Sequence, residues 1–304
     1  MDFYGNELWV SGGAITDIEA PSFKTNGFYV LKEDRNWKSF GHLVNDSLSF
    51  YNIRDIVDVA VNPNNDQAFM ASYLNGLVEF RNKEFYELYD VNNSPISPVT
   101  ALGDSSQQRV PSVEFDKKGH LWVANNGVDE PLLVKQKNGD WSAYSMGGNT
   151  SVEDMEIDDR GQIWLTLQSG GIVIYNHNNT LNDPNDDQYL KLNQGEGNGG
   201  LPVDRILSIT KDRKGDMWVG TTDGVVVFYS PPSIKSGRFP DGQQIYVEVG
   251  EQPGFLLESF NVNNIEVDGS NKKWIATNNG AWYTNEEGTE IINHFTKENS
   301  PVIS

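Results

Sequence analysis

The chain contains no cysteine. That absence excludes disulfides, thiol catalysis, zinc ribbons and iron–sulfur ligation together, and it leaves the cellular compartment open. Long apolar runs are missing too. The longest have four or five residues, as in Val225-Val226-Val227-Phe228-Tyr229, far below the roughly 20 of a membrane helix. Positive charge is scarce: 23 Lys and Arg stand against 43 Asp and Glu, a net charge of −20 over 304 residues. A body this acidic repels phosphate backbones and anionic lipid surfaces, so nucleic acid and membrane docking are both disfavoured as tasks. The start, MDFYGNELWV, lacks the basic and apolar regions of a signal peptide. It reads as chain already inside a fold, which suggests an excised fragment with an added Met1.

What the chain does have is aromatic residues and turn formers. Eight Trp, 12 Tyr and 14 Phe are too many for disorder, and 32 Asn with 29 Gly suit a turn-rich all-β chain. A repeat organises them. Asp116 to Ala124 (DKKGHLWVA) matches Asp158 to Thr166 (DDRGQIWLT) and Asp212 to Gly220 (DRKGDMWVG). Asp268 to Ala276 is a looser copy with Asn271 in the Gly place. Pro63 to Ala71 puts Phe69 where the others have Trp, and Glu7 to Val10 is half a copy. The anchors are therefore Trp9, Phe69, Trp122, Trp164, Trp218 and Trp274, spaced 60, 53, 42, 54 and 56 residues apart. Such a period suits propeller blades with loops added.

Each copy has one grammar. A period-two stretch precedes the Asp, as in Met155-Glu156-Ile157 or Ile265-Glu266-Val267, and reads as a strand. Asp-x-x-Gly then reverses the chain, with Asp capping the turn and Gly taking positive φ. The anchor strand follows, then a second turn and a third strand. A fourth closes the unit: Trp37 to Phe40, Phe85 to Tyr89, Trp141 to Tyr144, Ile245 to Val249 and Ile291 to Phe295. Four short antiparallel strands per repeat define an all-β β-propeller of about six four-stranded blades. The repeats fall at about 1–54, 55–109, 110–150, 151–203, 204–259 and 260–304, the first without a leading strand. The set is either a ring closed by an incomplete blade or a cut from a larger ring. The anchors Trp122, Trp164, Trp218 and Trp274 are expected to be buried between sheets.

Ile206 to Thr222 (ILSITKDRKGDMWVGTT) resembles the two-component regulator propeller repeat, and the repeat pattern covers most of the chain. The last hundred residues resemble more narrowly the PorZ family of type IX secretion, through VVVFYSPPSIKSG, PGFLLES, VNNIEVDGSNKKWIATNNGAWY and IINHFTKENSPVIS. In that family this stretch leads into further propeller repeats and a terminal sandwich. The resemblance implies a non-enzymatic scaffold at the cell surface or in the periplasm of a Gram-negative bacterium. Its partners would be proteins of a secretion complex, with a glycan or lipopolysaccharide as a further candidate ligand. The alternative is the glycan-sensing extracytoplasmic domain of a hybrid two-component regulator. A propeller lyase is the third reading.

Catalytic signals are weak. His42, His120, His177 and His294 fall in different repeats, so convergence on one site is improbable. The recurring Asp116, Asp158, Asp212 and Asp268 are better read as turn caps than as a carboxylate ring. Asn182 to Asp187 has hard oxygen ligands but not EF-hand spacing, and reads as a solvated acidic loop. Gly195 to Gly200 lacks the Lys-Ser/Thr of a phosphate loop. No Gly-x-Ser-x-Gly or His-Glu-x-x-His occurs. No catalytic residue, metal ligand or cofactor is assigned.

The irregular segments carry the binding expectation. Inserts at Ala14–Asn26, His42–Ile53, Asn92–Arg109, Leu181–Val203 and Pro231–Gln244 map to loops, where recognition resides. Pro231–Gln244 is stiffened by proline and locally basic, so Lys235, Arg238 and Phe239 are the expected binding residues. The competing expectations are that the loop folds over an adjoining blade and that Phe239 tucks onto its own blade. Phe255-Leu256-Leu257 reads as interior rather than as an exposed patch.

Overall fold

The computed structural model describes residues 1–304 except 14–19, 42–47, 49–50, 104–105, 149, 169, 250–251 and 302–304. The fold is all-β, with six four-stranded antiparallel blades of a β-propeller. They divide into two compact units, Met1–Glu153 and Asp154–Ser304.

In the first unit, blade 1 is β1 (Asp2–Tyr4), β2 (Glu7–Ser11), β3 (Phe28–Leu31) and β4 (Trp37–Phe40). Blade 2 is β5 (Ile56–Val61), β6 (Ala68–Ser72), β7 (Gly76–Arg81) and β8 (Glu84–Tyr89). Blade 3 is β9 (Val113–Phe115), β10 (Leu121–Ala124), β11 (Leu132–Lys135) and β12 (Trp141–Tyr144). Every strand pairs with its chain neighbour, so local turns alone set the order. Trp9 of blade 1 packs with Val59, Met70 and Val78 of blade 2, and Phe69 of blade 2 with Leu121 and Val123 of blade 3.

The second unit repeats the plan. Blade 4 is β13 (Val152–Ile157), β14 (Ile163–Leu167), β15 (Ile172–Asn176) and β16 (Gln188–Leu192). Blade 5 is β17 (Ile206–Lys211), β18 (Met217–Thr221), β19 (Gly224–Phe228) and β20 (Gln243–Gln244). A separate hairpin, β21 (Tyr246–Val249) with β22 (Gln252–Phe255), comes before blade 6. Blade 6 is β23 (Val262–Val267), β24 (Lys273–Thr277), β25 (Gly280–Thr284) and β26 (Ile291–Phe295). Trp164 packs on Ile206, Ile209 and Met217 of blade 5, and Trp218 on Ile265 and Ile275 of blade 6.

Several expectations need correction. Blade 1 does have a leading strand, since Asp2, Phe3 and Tyr4 pair with Trp9, Leu8 and Glu7. Its three residues are too short for period-two alternation to reveal. The segment Leu181–Val203 is not wholly an insert, because Gln188–Leu192 forms the fourth strand of blade 4. Ile245 to Val249 does not close blade 5. Gln243 and Gln244 do so, and Tyr246–Val249 turns back on Gln252–Phe255 instead. Leu256 and Leu257 are interior as expected, whereas Phe255 is exposed beside Tyr246.

The Asp-x-x-Gly turns act as read. Asp158 Oδ1 accepts from the backbone N–H of Arg160 and Gln162, at 2.8 and 2.9 Å. Asp116, Asp212 and Asp268 accept from the corresponding pairs. Asn271 takes the glycine place at φ 61°, within the left-handed region that Asn tolerates. The second carboxylate oxygen does something the sequence did not disclose. It accepts the indole Nε1–H six residues on, at 3.4 Å from Trp122, 3.1 Å from Trp164 and 3.2 Å from Trp218. One side chain therefore closes the turn and also satisfies the one polar atom of the core anchor.

Trp274 departs from this rule. Trp122, Trp164 and Trp218 are buried, but Trp274 is 40% exposed. It lies on the face of β24 opposite Ile275, and Ile275 is the residue that packs on blade 5. The Trp274 ring is stacked between Tyr283 and Phe295, with centroids at 4.4 and 5.5 Å. Asp268, which would hold its N–H, accepts instead from the Tyr283 hydroxyl at 2.9 Å.

Blades 5 and 6 share a buried ion pair. Just before the anchor, the other blades place Leu8, Ala68, Leu121, Ile163 or Met217, whereas blade 6 places Lys273. Lys273 is fully buried, with Nζ 2.8 Å from Asp212 Oδ2, 2.8 Å from the Asn271 carbonyl and 4.3 Å above the Trp218 ring. Burial alone would raise the Asp212 pKa, but Lys273 and the turn N–H groups outweigh it and hold the carboxyl below its ordinary value of 3.8.

Two outcomes follow for stability. Trp218→Ala should cost about 3–5 kcal/mol as a core deletion, and Trp274→Ala no more than about 1 kcal/mol, the worth of exposed ring stacking. Urea denaturation of both variants checks this. Asp212→Ala leaves the Lys273 ammonium buried without its counter-charge and should cost about 3–5 kcal/mol. Because the folded Asp212 pKa is depressed, its contribution is complete above pH 3.8 and is lost as pH falls through the folded value. Acid titration of wild type and Asp212→Ala should therefore converge at low pH.

Candidate functional site

The expected binding segment lies wholly in the second unit. It leaves β19, crosses to blade 4 and returns as β20. Its path is fixed by side chains of blade 4. Arg160 Nε donates to the Pro231 carbonyl at 3.0 Å, and Gln162 Nε2 to the Pro232 carbonyl at 3.2 Å. Gln162 Oε1 in turn accepts the Ile234 N–H at 2.8 Å. Ser233 caps a single 3-10 turn, Ile234–Ser236, through the Lys235 N–H. At the far end Asp241 accepts the N–H of Gly197 and Gly199, at 2.6 and 2.9 Å. The glycine-rich stretch Gly195 to Gly200 thus holds an internal carboxylate.

The three expected residues separate by environment. Lys235 and Arg238 are exposed. Phe239 is half-buried, with its ring 5.8 Å from Trp164 and 6.2 Å from Phe228. It joins the core that couples blades 4 and 5. The proline-stiffened backbone is thus bolted down by one aromatic and presents two cations outward. Lys235 also feels the acidic loop Asn182–Asp187. It stands near enough to Asp186 and Asp187 to act on both carboxyls. In that loop Asp186 accepts from Thr180 at 2.7 Å, and Asp187 accepts the Tyr175 hydroxyl. Side-chain bonds from Asn178 and Thr180 hold the Asp186 carboxyl below its ordinary value, whereas burial raises that of Asp187.

The described histidines have local partners. His120 Nδ1 lies 3.4 Å from the Lys137 backbone nitrogen, and His177 is buried. His294 stacks on Trp282 at 3.5 Å, with Nε2 2.8 Å from the Asn279 carbonyl. His42 lies outside the described residues. Among the described residues no group of three or more His, Asp or Glu is placed to hold a metal ion. Nor is any helix there long and apolar enough to cross a membrane.

A family model described as two component regulator propeller matches residues 200–223, which span the β17 and β18 repeat. No curated protein matches the sequence. PorZ, an essential bacterial surface component of the type-IX secretion system of Porphyromonas gingivalis, is similar in structure with a TM-score of 0.85 at 21% identity. That likeness covers 99% of this chain and 42% of the PorZ chain, so the chain spans less than half the length of this relative. Streptogramin B lyase is similar with a TM-score of 0.60 at 11% identity, over 90% of this chain and 77% of that one. Virginiamycin B lyase from Staphylococcus aureus gives 0.54 at 11% identity, over 79% and 69%. At these identities the likeness is one of fold.

The split between anchor and presented cations is testable. Phe239→Ala should destabilise by about 1–3 kcal/mol, less than a fully buried Phe. Lys235→Ala with Arg238→Ala should stay within about 0.5 kcal/mol of wild type. Thermal melts of the two variants measure the difference.

Proposed function

We propose that the chain belongs to a non-enzymatic interaction scaffold outside the cytoplasm of a Gram-negative bacterium, serving a type IX secretion assembly as PorZ does. The observation that carries this reading is the superposition of 99% of the chain on PorZ with a TM-score of 0.85. It is supported by where the side chains are spent. The recurring Asp residues are committed to turns and Trp122, Trp164 and Trp218 to the core, which leaves recognition to the connections. Within this proposal the Pro231–Gln244 connection is the contact surface for a secretion-complex protein. Lys235 and Arg238 attract an acidic partner against the background charge of −20, and Phe239 secures the backbone beneath them. The loop is held in place before binding, which lowers the ordering cost of association.

A second reading, a ligand-sensing extracytoplasmic domain, draws on the match of residues 200–223 to the regulator propeller repeat. In it a glycan or lipopolysaccharide would replace the protein partner.

The discriminating experiment is affinity purification of the tagged protein from a bacterium with type IX secretion. Enrichment of identified secretion-complex proteins is expected. Lys235→Glu with Arg238→Glu should abolish it while the melting temperature is unchanged. No enrichment with wild type, or equal recovery with the stable variant, would remove this surface from the account.

A further inference from the structure

Blade 2 breaks the repeat at three positions that meet in space. The anchor is Phe69, not Trp, so its ring is smaller and carries no N–H. The turn acid is replaced by neutral Asn62, whose N–H bonds the Gln67 carbonyl as Asp158 bonds Gln162. The third break is across the strand pair. Opposite the anchor, blades 1, 3, 4 and 5 place Val30, Val134, Ile174 and Val227. Blade 2 places Glu79 there, and it is fully buried.

Beside these positions lies a cavity of about 270 Å³ within the first unit, between blades 2 and 3, with Asn62 and Phe69 in its wall. Its other walls include Asn62, Gln67, Arg81, Lys135 and Lys137, and no carboxylate lines it. Glu79 is saturated from behind: it accepts from Gln67 Nε2 at 2.7 Å, from the Tyr89 hydroxyl at 2.6 Å and from Arg81 Nε. Burial and the Glu79 charge both push the Tyr89 phenol far up, so Tyr89 remains a donor. Arg81 is thereby held at the cavity and neutralised by Glu79. Lys135 keeps its ammonium over the rings of Tyr89 and Trp141, at 4.8 and 5.3 Å. Burial lowers its pKa, and Glu79 and Glu87 act against that shift. Three cations thus face two nearby carboxylates, neither of which lines the cavity.

We propose that this cavity binds a small oxyanion, a carboxylate or phosphate group, with Lys135 and Lys137 as its charged donors. Charge-assisted bonds to an anion would add counter-charge inside the cavity, beyond the Glu79 and Glu87 carboxylates that already act on Lys135. The Phe69 ring leaves the room that a Trp at this position would fill. Burying Glu79 with Arg81 in place of a valine is not expected to stabilise the blade, so packing alone does not account for it. This inference is independent of the secretion reading, because it concerns the first unit and a small ligand.

The test is titration of the full chain with inorganic phosphate, with glucuronate and with neutral glucose, followed by amide and side-chain NMR. Saturable binding of phosphate or glucuronate, with shifts centred on Lys135, Lys137 and Gln67, is expected, and whichever anion binds tighter identifies the oxyanion. Glucose should not saturate. Lys135→Gln with Lys137→Gln should weaken binding roughly tenfold for each lysine removed. Phe69→Trp, which restores the repeat residue, should abolish binding while the melting temperature is retained. Absence of saturable binding by either anion would overturn the proposal. So would unaltered affinity in the double lysine variant, which keeps this outcome decisive if Phe69→Trp fails to fold.

Discussion

The structure depends on one carboxylate arrangement used repeatedly. An aspartate at a tight turn accepts two backbone N–H groups with one oxygen and the indole N–H of a core tryptophan with the other. Without it, a tryptophan buried between two sheets would carry an unsatisfied donor, a cost of about 1–3 kcal/mol at each site. With it, the largest apolar side chain of the blade can be interior, and the turn that sets strand register is closed by the same group. Asp158 with Trp164 and Asp212 with Trp218 are the well-formed cases in the second unit, and Asp116 with Trp122 is the longer one in the first.

Departures from that arrangement are where the blades become individual. In blade 6 the tryptophan is exposed and its aspartate turns to Tyr283, while Lys273 reaches across to the aspartate of blade 5. In blade 2 acid, indole and aliphatic partner are all replaced, and a polar cavity lies beside Phe69. Positions that obey the repeat close turns and fill the core, and those that break it bring buried charge into the blades, Lys273 in blade 6 and Glu79 in blade 2. In the connection Pro231–Gln244, Phe239, Ser233 and Asp241 fasten the backbone, and Lys235 and Arg238 are exposed.

Much of the fold was legible because its signals are local. Period-two stretches before Asp-x-x-Gly located the leading strands at Met155 to Ile157 and Ile265 to Val267, and the aspartates were readable as caps. The misses have physical causes. Asp2–Tyr4 is too short to alternate, Gln188–Leu192 is polar at its exposed positions, and Gln243–Gln244 has no apolar residue at all. Trp274 shares the motif of buried tryptophans, and only packing shows that its ring stays exposed, stacked on Tyr283 and Phe295. For the candidate segment Pro231–Gln244, the sequence pointed to Lys235, Arg238 and Phe239, but it did not decide between the two exposed cations and the ring that anchors them. The cavity beside blade 2 had two visible signals, Phe69 in the place of Trp and Glu79 among the aliphatic residues of the third strand. The meaning of Glu79 needed the strand register, which sets it opposite Phe69.

The central claim is that the turn aspartate holds the core indole, and exchange of the indole N–H protons tests it most directly. In a two-dimensional NMR spectrum in heavy water, the Nε1 protons of Trp164 and Trp218 should persist long after those of exposed Trp37 and Trp274 have gone. Asp158→Ala should speed exchange at Trp164 and leave Trp218 protected. Exchange at Trp164 as fast as at Trp37, or unchanged by Asp158→Ala, would contradict the account.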